Sequence, residues 1–144
     1  MNKKLFLGAC VFIIWFAQGI YAGAGQKLIA EIDVQNQTMT VKRSGETLYS
    51  WKVSTGREGY KTPSGVFSPK RMHKMWYSRK YNNAPMPYAV FYSGGYAIHG
   101  TASSWRLGNP ASHGCVRLAT ENARMFYNLV KEMGMSNVEI VIRN

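Results

Sequence analysis

At 144 residues the chain has room for one domain and a short leader, enough to bury a core but too few for a separate binding module. It is basic, with 18 Lys and Arg against 7 Asp and Glu and a formal net charge of +11, which suits an anionic partner. No helix-turn-helix, zinc-finger or RNA-binding motif is present, so no nucleic acid is expected among the partners.

Residues 1–24 read as a secretory signal peptide. Asn2-Lys3-Lys4 makes a positive start, Leu5 to Ala17 is an almost unbroken apolar run, and Ala22-Gly23-Ala24 has the small-x-small pattern of a signal-peptidase site. The run is shorter than the ~20 residues of a spanning helix and is broken by Gln18 and Gly19. Leu7-Gly8-Ala9-Cys10 has the look of a lipoprotein box, but too little apolar sequence precedes Cys10. The expected mature domain is therefore 25–144, in the periplasm or cell envelope. Cleavage would remove Lys3, Lys4 and Cys10, leaving 16 basic against 7 acidic residues and one cysteine, Cys115. A lone thiol in an exported protein has no internal disulfide partner, so it is either buried and inert or kept for reactivity.

The mature chain begins as short strands. Leu28 to Val34 alternates apolar residues with Glu31 and Asp33, Thr38 to Arg43 places Met39 and Val41 on one face, and Leu48 to Ser54 follows a Ser44-Gly45-Glu46 turn. Together they predict an antiparallel meander. Gly56, Gly59, Pro63, Gly65 and Pro69 mark a loop around a short Val66-Phe67 strand. From Met72 to Tyr92 the chain is rich in aromatics and methionine, expected to be core and interfacial packing; Pro85-Met86-Pro87-Tyr88 is the candidate groove wall within it. His73, between Arg71 and Lys74, reads as a solvated surface residue. Tyr88 to Tyr92 and Tyr96 to His99 predict two strands around Gly94-Gly95, delivering His99 to a strand end. The loop Thr101 to Ala111, with Trp105 as a further candidate groove residue, would fold back towards Cys115. Thr120 as N-cap, Ala123, Phe126, Tyr127, Val130 and Met133 at helical spacing, and Gly134 as a stop predict an amphipathic helix; Val138 to Ile142 closes the chain as a strand. The fold class expected is mainly β with one clear helix, a β-rich α+β domain.

Chemistry concentrates in Ser112-His113-Gly114-Cys115-Val116-Arg117-Leu118, read with Ile98-His99-Gly100. A thiol attacks carbonyls as thiolate, so it needs a base or a positive neighbourhood. If 113–117 runs extended, His113, Cys115 and Arg117 share one face. Gly114 would let a substrate carbonyl approach backbone N–H groups able to hold an oxyanion. Spacing alone does not choose between His99 and His113 as the base. His99, His113 and Cys115 as zinc ligands would lack a fourth ligand and a usual metal spacing. A silent wall-binding module would have no need of Cys115, His99 and Gly114 together.

These residues resemble the L,D-transpeptidase catalytic domain, also called YkuD-type. The likeness rests on His99-Gly100-Thr101, the sixteen-residue step to Cys115 and the Ser112–Leu118 segment, and extends to Ser54-Thr55-Gly56, Thr62-Pro63-Ser64-Gly65-Val66-Phe67, Met86-Pro87-Tyr88 and Gly94-Gly95-Tyr96-Ala97-Ile98. It implies a mixed β-sandwich-like fold and a cysteine acyltransferase acting on peptidoglycan stem peptides, with no cofactor. In that family the cysteine matching Cys115 attacks the carbonyl at the L-centre of the third stem residue, usually meso-diaminopimelate, and releases terminal D-alanine. The histidine matching His99 moves the proton, its ring oriented by the carbonyl of Gly100. Backbone N–H groups around His113, Gly114 and Cys115 would form an oxyanion hole, with Ser112 and Arg117 shaping the site or holding substrate carboxylate. Carbapenem acylation of Cys115 is also implied. The acceptor stays open between another stem peptide, an amine on an outer-membrane protein, a free D-amino acid, or water, the last giving an L,D-carboxypeptidase or another stem-peptide hydrolase.

Overall fold

The alternation of the first strand organises the first sheet. Leu28, Ala30 and Ile32 are buried on one face, while Glu31 on the other meets Lys42 across the neighbouring strand at 2.7 Å. The computed structural model describes residues 26–144, so the reading of residues 1–24 lies outside them. Strands β1 (Leu28–Asp33), β2 (Thr38–Arg43) and β3 (Glu46–Lys52) form the expected antiparallel meander. The short strand β4 (Gly65–Phe67) and the closing strand β9 (Val138–Arg143) complete a five-stranded sheet in the order β3-β2-β1-β9-β4, with β9 parallel to β1.

The aromatic stretch is itself a strand pair. β5 (Arg71–Ser78) and β6 (Ala84–Ser93) pair antiparallel and continue into β7 (Tyr96–Thr101) and β8 (Val116–Ala119) as a second sheet, ordered β5-β6-β7-β8. Pro85 and Pro87 hide this from a sequence reading. They are tolerated because the first half of β6 pairs with β5 alone, β7 joining only from Val90 onward, so the prolines lie where one edge is open. His73 is not freely solvated: it packs at 4.7 Å from the Trp76 ring and edge-on to Phe91.

The helix α1 (Thr120–Met133) buries Ala123, Phe126 and Val130 on one face against β6, β7 and β8. These join Leu28, Ile32, Val41, Ile98, Leu118, Ile140 and others in one core spanning helix and both sheets. Thr120 is the first helical residue, not the N-cap, because β8 runs straight into the helix and the cap position falls on Ala119. The Thr120 hydroxyl instead donates to the Thr101 carbonyl at 3.3 Å. Gly134, at φ +79°, ends the helix as expected, its N–H on the Val130 carbonyl. The described residues are mostly β, with one α-helix and two mixed sheets. Met86, Ala89, Phe91 and Ala97 cluster on the other face of the second sheet, away from the helix, and Cys115 packs against them.

Candidate active site

The site is built where parallel strands β7 and β8 lie side by side. Their register pairs Ile98 with Val116 and His99 with Arg117, so Ile98 and Val116 enter the main core. His99 and Arg117 turn to the opposite face with Ala97, and Cys115 follows them. Ser54 secures β8 from its far side by exchanging backbone bonds with Arg117, at 3.0 and 2.9 Å. The loop after β7 is held against the same segment, with Ser54 Oγ donating to the Asn109 carbonyl at 2.7 Å and the Gly108 N–H to Val53. The expected fold-back is thus observed, fixed by backbone bonds.

Residues 113–115 are not extended. They bend ahead of β8, with Gly114 at φ +110°, a conformation side chains disfavour; a Cβ there would also meet the Tyr96 ring at 2.5 Å. Fully buried Ser112 braces the bend, its hydroxyl donating to the Cys115 carbonyl at 2.6 Å and accepting the Gly114 N–H at 3.0 Å. That bond takes the Gly114 N–H out of the expected oxyanion set.

His99 is 6% exposed, and its Nδ1 lies 2.7 Å from the Gly100 carbonyl. A carbonyl only accepts, so Nδ1 carries the proton and Nε2 presents a lone pair. Burial first, and the Arg117 charge less strongly, push the His99 pKa down to about 4 against the carbonyl's upward pull. Burial raises the Cys115 thiol, opposed by a bond from the Ala97 backbone and by Arg117. At neutral pH the resting pair is therefore a neutral imidazole and a thiol. That pair suits general-base deprotonation during attack better than a preformed thiolate–imidazolium pair.

A cavity of about 540 Å³ reaches both His99 and Cys115 and is also lined by Met86, His113 and Arg117. A second arm of about 490 Å³ also reaches Cys115 and runs past Arg71, Trp76 and Arg79. His113 is brought to the rim by the bend, stacked on Tyr81 at 4.1 Å with Tyr60 edge-on at 4.7 Å. Desolvation, then the cations Arg57, Arg117 and Lys80, lower its pKa. Two expected groove residues are elsewhere. Tyr88, at φ +54°, is swung out of the strand alternation onto Tyr127, 5.8 Å between rings on the helix side. Trp105 sits on an outer turn, 75% exposed, and does not line either arm.

Ser78, Lys80, Tyr81, Ala102 and Ser103 line the first arm although no sequence motif singled them out. They come from the end of β5, the turn after it and the segment after β7, whose approach to one another depends on tertiary packing. Among the described residues, Arg57, Lys80, Arg106 and Arg117 make no ion pair, and no acidic residue lines either arm. Nor, among those residues, do three His, Cys, Asp or Glu side chains converge as metal ligands.

The family model described as the L,D-transpeptidase catalytic domain, YkuD, matches residues 27–140. The chain belongs to that family. The L,D-transpeptidase 2 of Mycobacterium tuberculosis is 28% identical over 124 residues, a match taking in 74% of this chain and 30% of that protein. Among solved structures, an L,D-transpeptidase from Mycobacterium smegmatis superposes with a TM-score of 0.74 at 25% identity, covering 83% of this chain and 60% of its own. The L,D-transpeptidase LdtMt1, solved in complex with imipenem, gives 0.73 at 26% identity with the same coverage. The L,D-transpeptidase catalytic domain described here thus spans about a third of that M. tuberculosis protein and three fifths of those solved chains.

Proposed function

We propose that the protein is a peptidoglycan L,D-transpeptidase that forms a thioester on Cys115 and passes it to an amine. The observation that carries this reading is the placing of the Cys115 thiol and the Nδ1-protonated, neutral His99 ring in one cavity. Cys115 Sγ attacks the carbonyl carbon at the L-centre of the third stem residue while His99 Nε2 takes the thiol proton. The C–N bond to terminal D-alanine then breaks, the leaving amine taking that proton from Nε2. The acceptor amine attacks the thioester, its proton passes to Nε2 and on to the departing Cys115 thiolate, and the free thiol is restored.

The electrostatics fit stem peptides, whose carboxylates would meet Lys80 and Arg117 in the first arm and Arg71 and Arg79 in the second, with no acidic residue lining either. The two arms meeting at Cys115 fit a two-substrate reaction, with donor and acceptor approaching the same sulfur from different sides. Export to the periplasm or cell envelope belongs to the same proposal, because stem peptides lie there.

The test is incubation with disaccharide-tetrapeptide muropeptides, wild type beside Cys115→Ala, with products followed by mass spectrometry. Cys115-dependent dimers formed with loss of D-alanine are the expected result. Tripeptide without dimers would replace transfer to an amine with hydrolysis. Undiminished turnover by Cys115→Ala would remove the cysteine from the reaction.

A further inference from the structure

Gln37 is the one buried amide side chain among the described residues, and it lies in a surface-type turn between β1 and β2 where such a residue would ordinarily face water. It is 3% exposed and adopts φ +51°. Its Nε2 donates to the Val34 carbonyl at 2.7 Å and to Thr55 Oγ1 at 2.6 Å, while its Oε1 accepts the Thr55 N–H at 2.9 Å. The Thr55 N–H only donates and the Val34 carbonyl only accepts, so the orientation of the amide is fixed. The backbone carbonyl of Gln37 also accepts the Val53 N–H at 2.9 Å.

What Gln37 holds leads directly to the reactive sulfur's loop. The carbonyl of fully buried Thr55 accepts the N–H groups of both Ala111 and Ser112, at 3.0 and 2.9 Å. Ser112 in turn grips the Cys115 carbonyl through its hydroxyl. The Ser112 carbonyl accepts the Arg57 N–H at 3.0 Å, closing the loop back onto the same segment. A side chain from the turn between β1 and β2 therefore reaches the bend carrying Cys115 through Thr55 and Ser112, with each polar group partnered by another. Such satisfied buried networks hold one geometry, and a half-broken one is costly.

We propose that Gln37 is a positioning residue for the nucleophile loop, its amide fixing Thr55 and, through Thr55 and Ser112, the placement of Cys115 against His99. This rests on the reading of Cys115 as nucleophile. Gln37 touches no substrate and acts only through the loop, so its loss is felt in the chemical step and not in substrate capture. Gln37→Leu keeps the side chain's bulk and removes all three bonds; Gln37→Glu keeps the acceptor and removes the donor.

The experiment measures kcat and KM on tetrapeptide muropeptides, and the iodoacetamide alkylation rate of Cys115, well below the unfolding temperature of each variant. Met39→Ala is the control, since it opens a cavity in the β2 core two residues away without touching Thr55. Gln37→Leu is expected to lower kcat by roughly 10²-fold, the order expected for a misplacement of about 1 Å, with KM within about threefold and an altered pH profile of alkylation. Met39→Ala is expected to lose comparable or greater thermal stability and keep its kcat. If Gln37→Leu does not fold, Thr55→Val, which removes only the Oγ1 acceptor, carries the same test with a smaller fall in kcat. A destabilised Gln37→Leu, or where that does not fold a Thr55→Val, that keeps both kcat and the alkylation profile would reduce Gln37 to a purely structural role. Failure of the underlying reading is separate: there Cys115→Ala itself turns over.

Discussion

His99 Nδ1 and the carbonyl of Gly100 are 2.7 Å apart, so the strand that carries the imidazole also sets its tautomer. No carboxylate is needed to orient the ring, and Nε2 is left free to accept. Under the proposed mechanism His99→Ala lowers kcat by at least ~10²-fold, the usual scale for losing a general base. An unchanged rate for this variant would exclude His99 as the proton carrier.

The buried ring also ties stability to pH. Its folded pKa of about 4 lies below the unfolded value, so between about 4 and 6.5 the unfolded chain binds more protons than the folded one. The contribution is fully present above about pH 6.5 and is lost as pH falls towards 4, amounting to about 3 kcal/mol. Urea unfolding from pH 4 to 7 should show this slope in the wild type and a shallower one in His99→Gln. Equal slopes would contradict it.

Arg117 works on the thiol through charge. It is the cation that lowers the Cys115 pKa against the upward push of burial. Arg117→Met is expected to move the midpoint of Cys115 alkylation to higher pH and to slow alkylation at neutral pH. An unmoved midpoint would count against the charge effect.

Gly114 has no tolerance for a side chain. Its φ of +110° and the Tyr96 ring both oppose a Cβ. Gly114→Ala should distort the bend at a cost of about 1–3 kcal/mol and sharply reduce turnover, read by thermal unfolding together with the muropeptide assay. Wild-type turnover would show that the bend is not required.

Trp105 makes the opposite case. It stands 75% exposed outside both arms, so Trp105→Ala is expected to leave kcat/KM within about twofold. A large rise in KM would return it to the substrate groove.

The sequence was legible wherever burial is periodic. The alternation at Leu28, Ala30 and Ile32 and the spacing of Ala123, Phe126 and Val130 both reappear as buried faces. β5 and the start of β6 were hidden because aromatic, methionine and basic residues follow one another there without alternation, and two prolines occupy positions that only an open edge tolerates. At the site, Cys115, His99 and Arg117 were legible from their motif and lie together. The route by which His113 arrives depends on the positive φ of Gly114, and the departure of Tyr88 on its own positive φ, neither of which a residue pattern displays. Gln37 carried no signal at all: a glutamine in a turn looks solvated until the fold buries it.

The most direct test of the central claim is peptide mapping of the protein trapped with a tetrapeptide donor. The account predicts one adduct, on Cys115, with the mass of the donor less D-alanine. An adduct on another residue, or D-alanine released at the wild-type rate by Cys115→Ala, would contradict it.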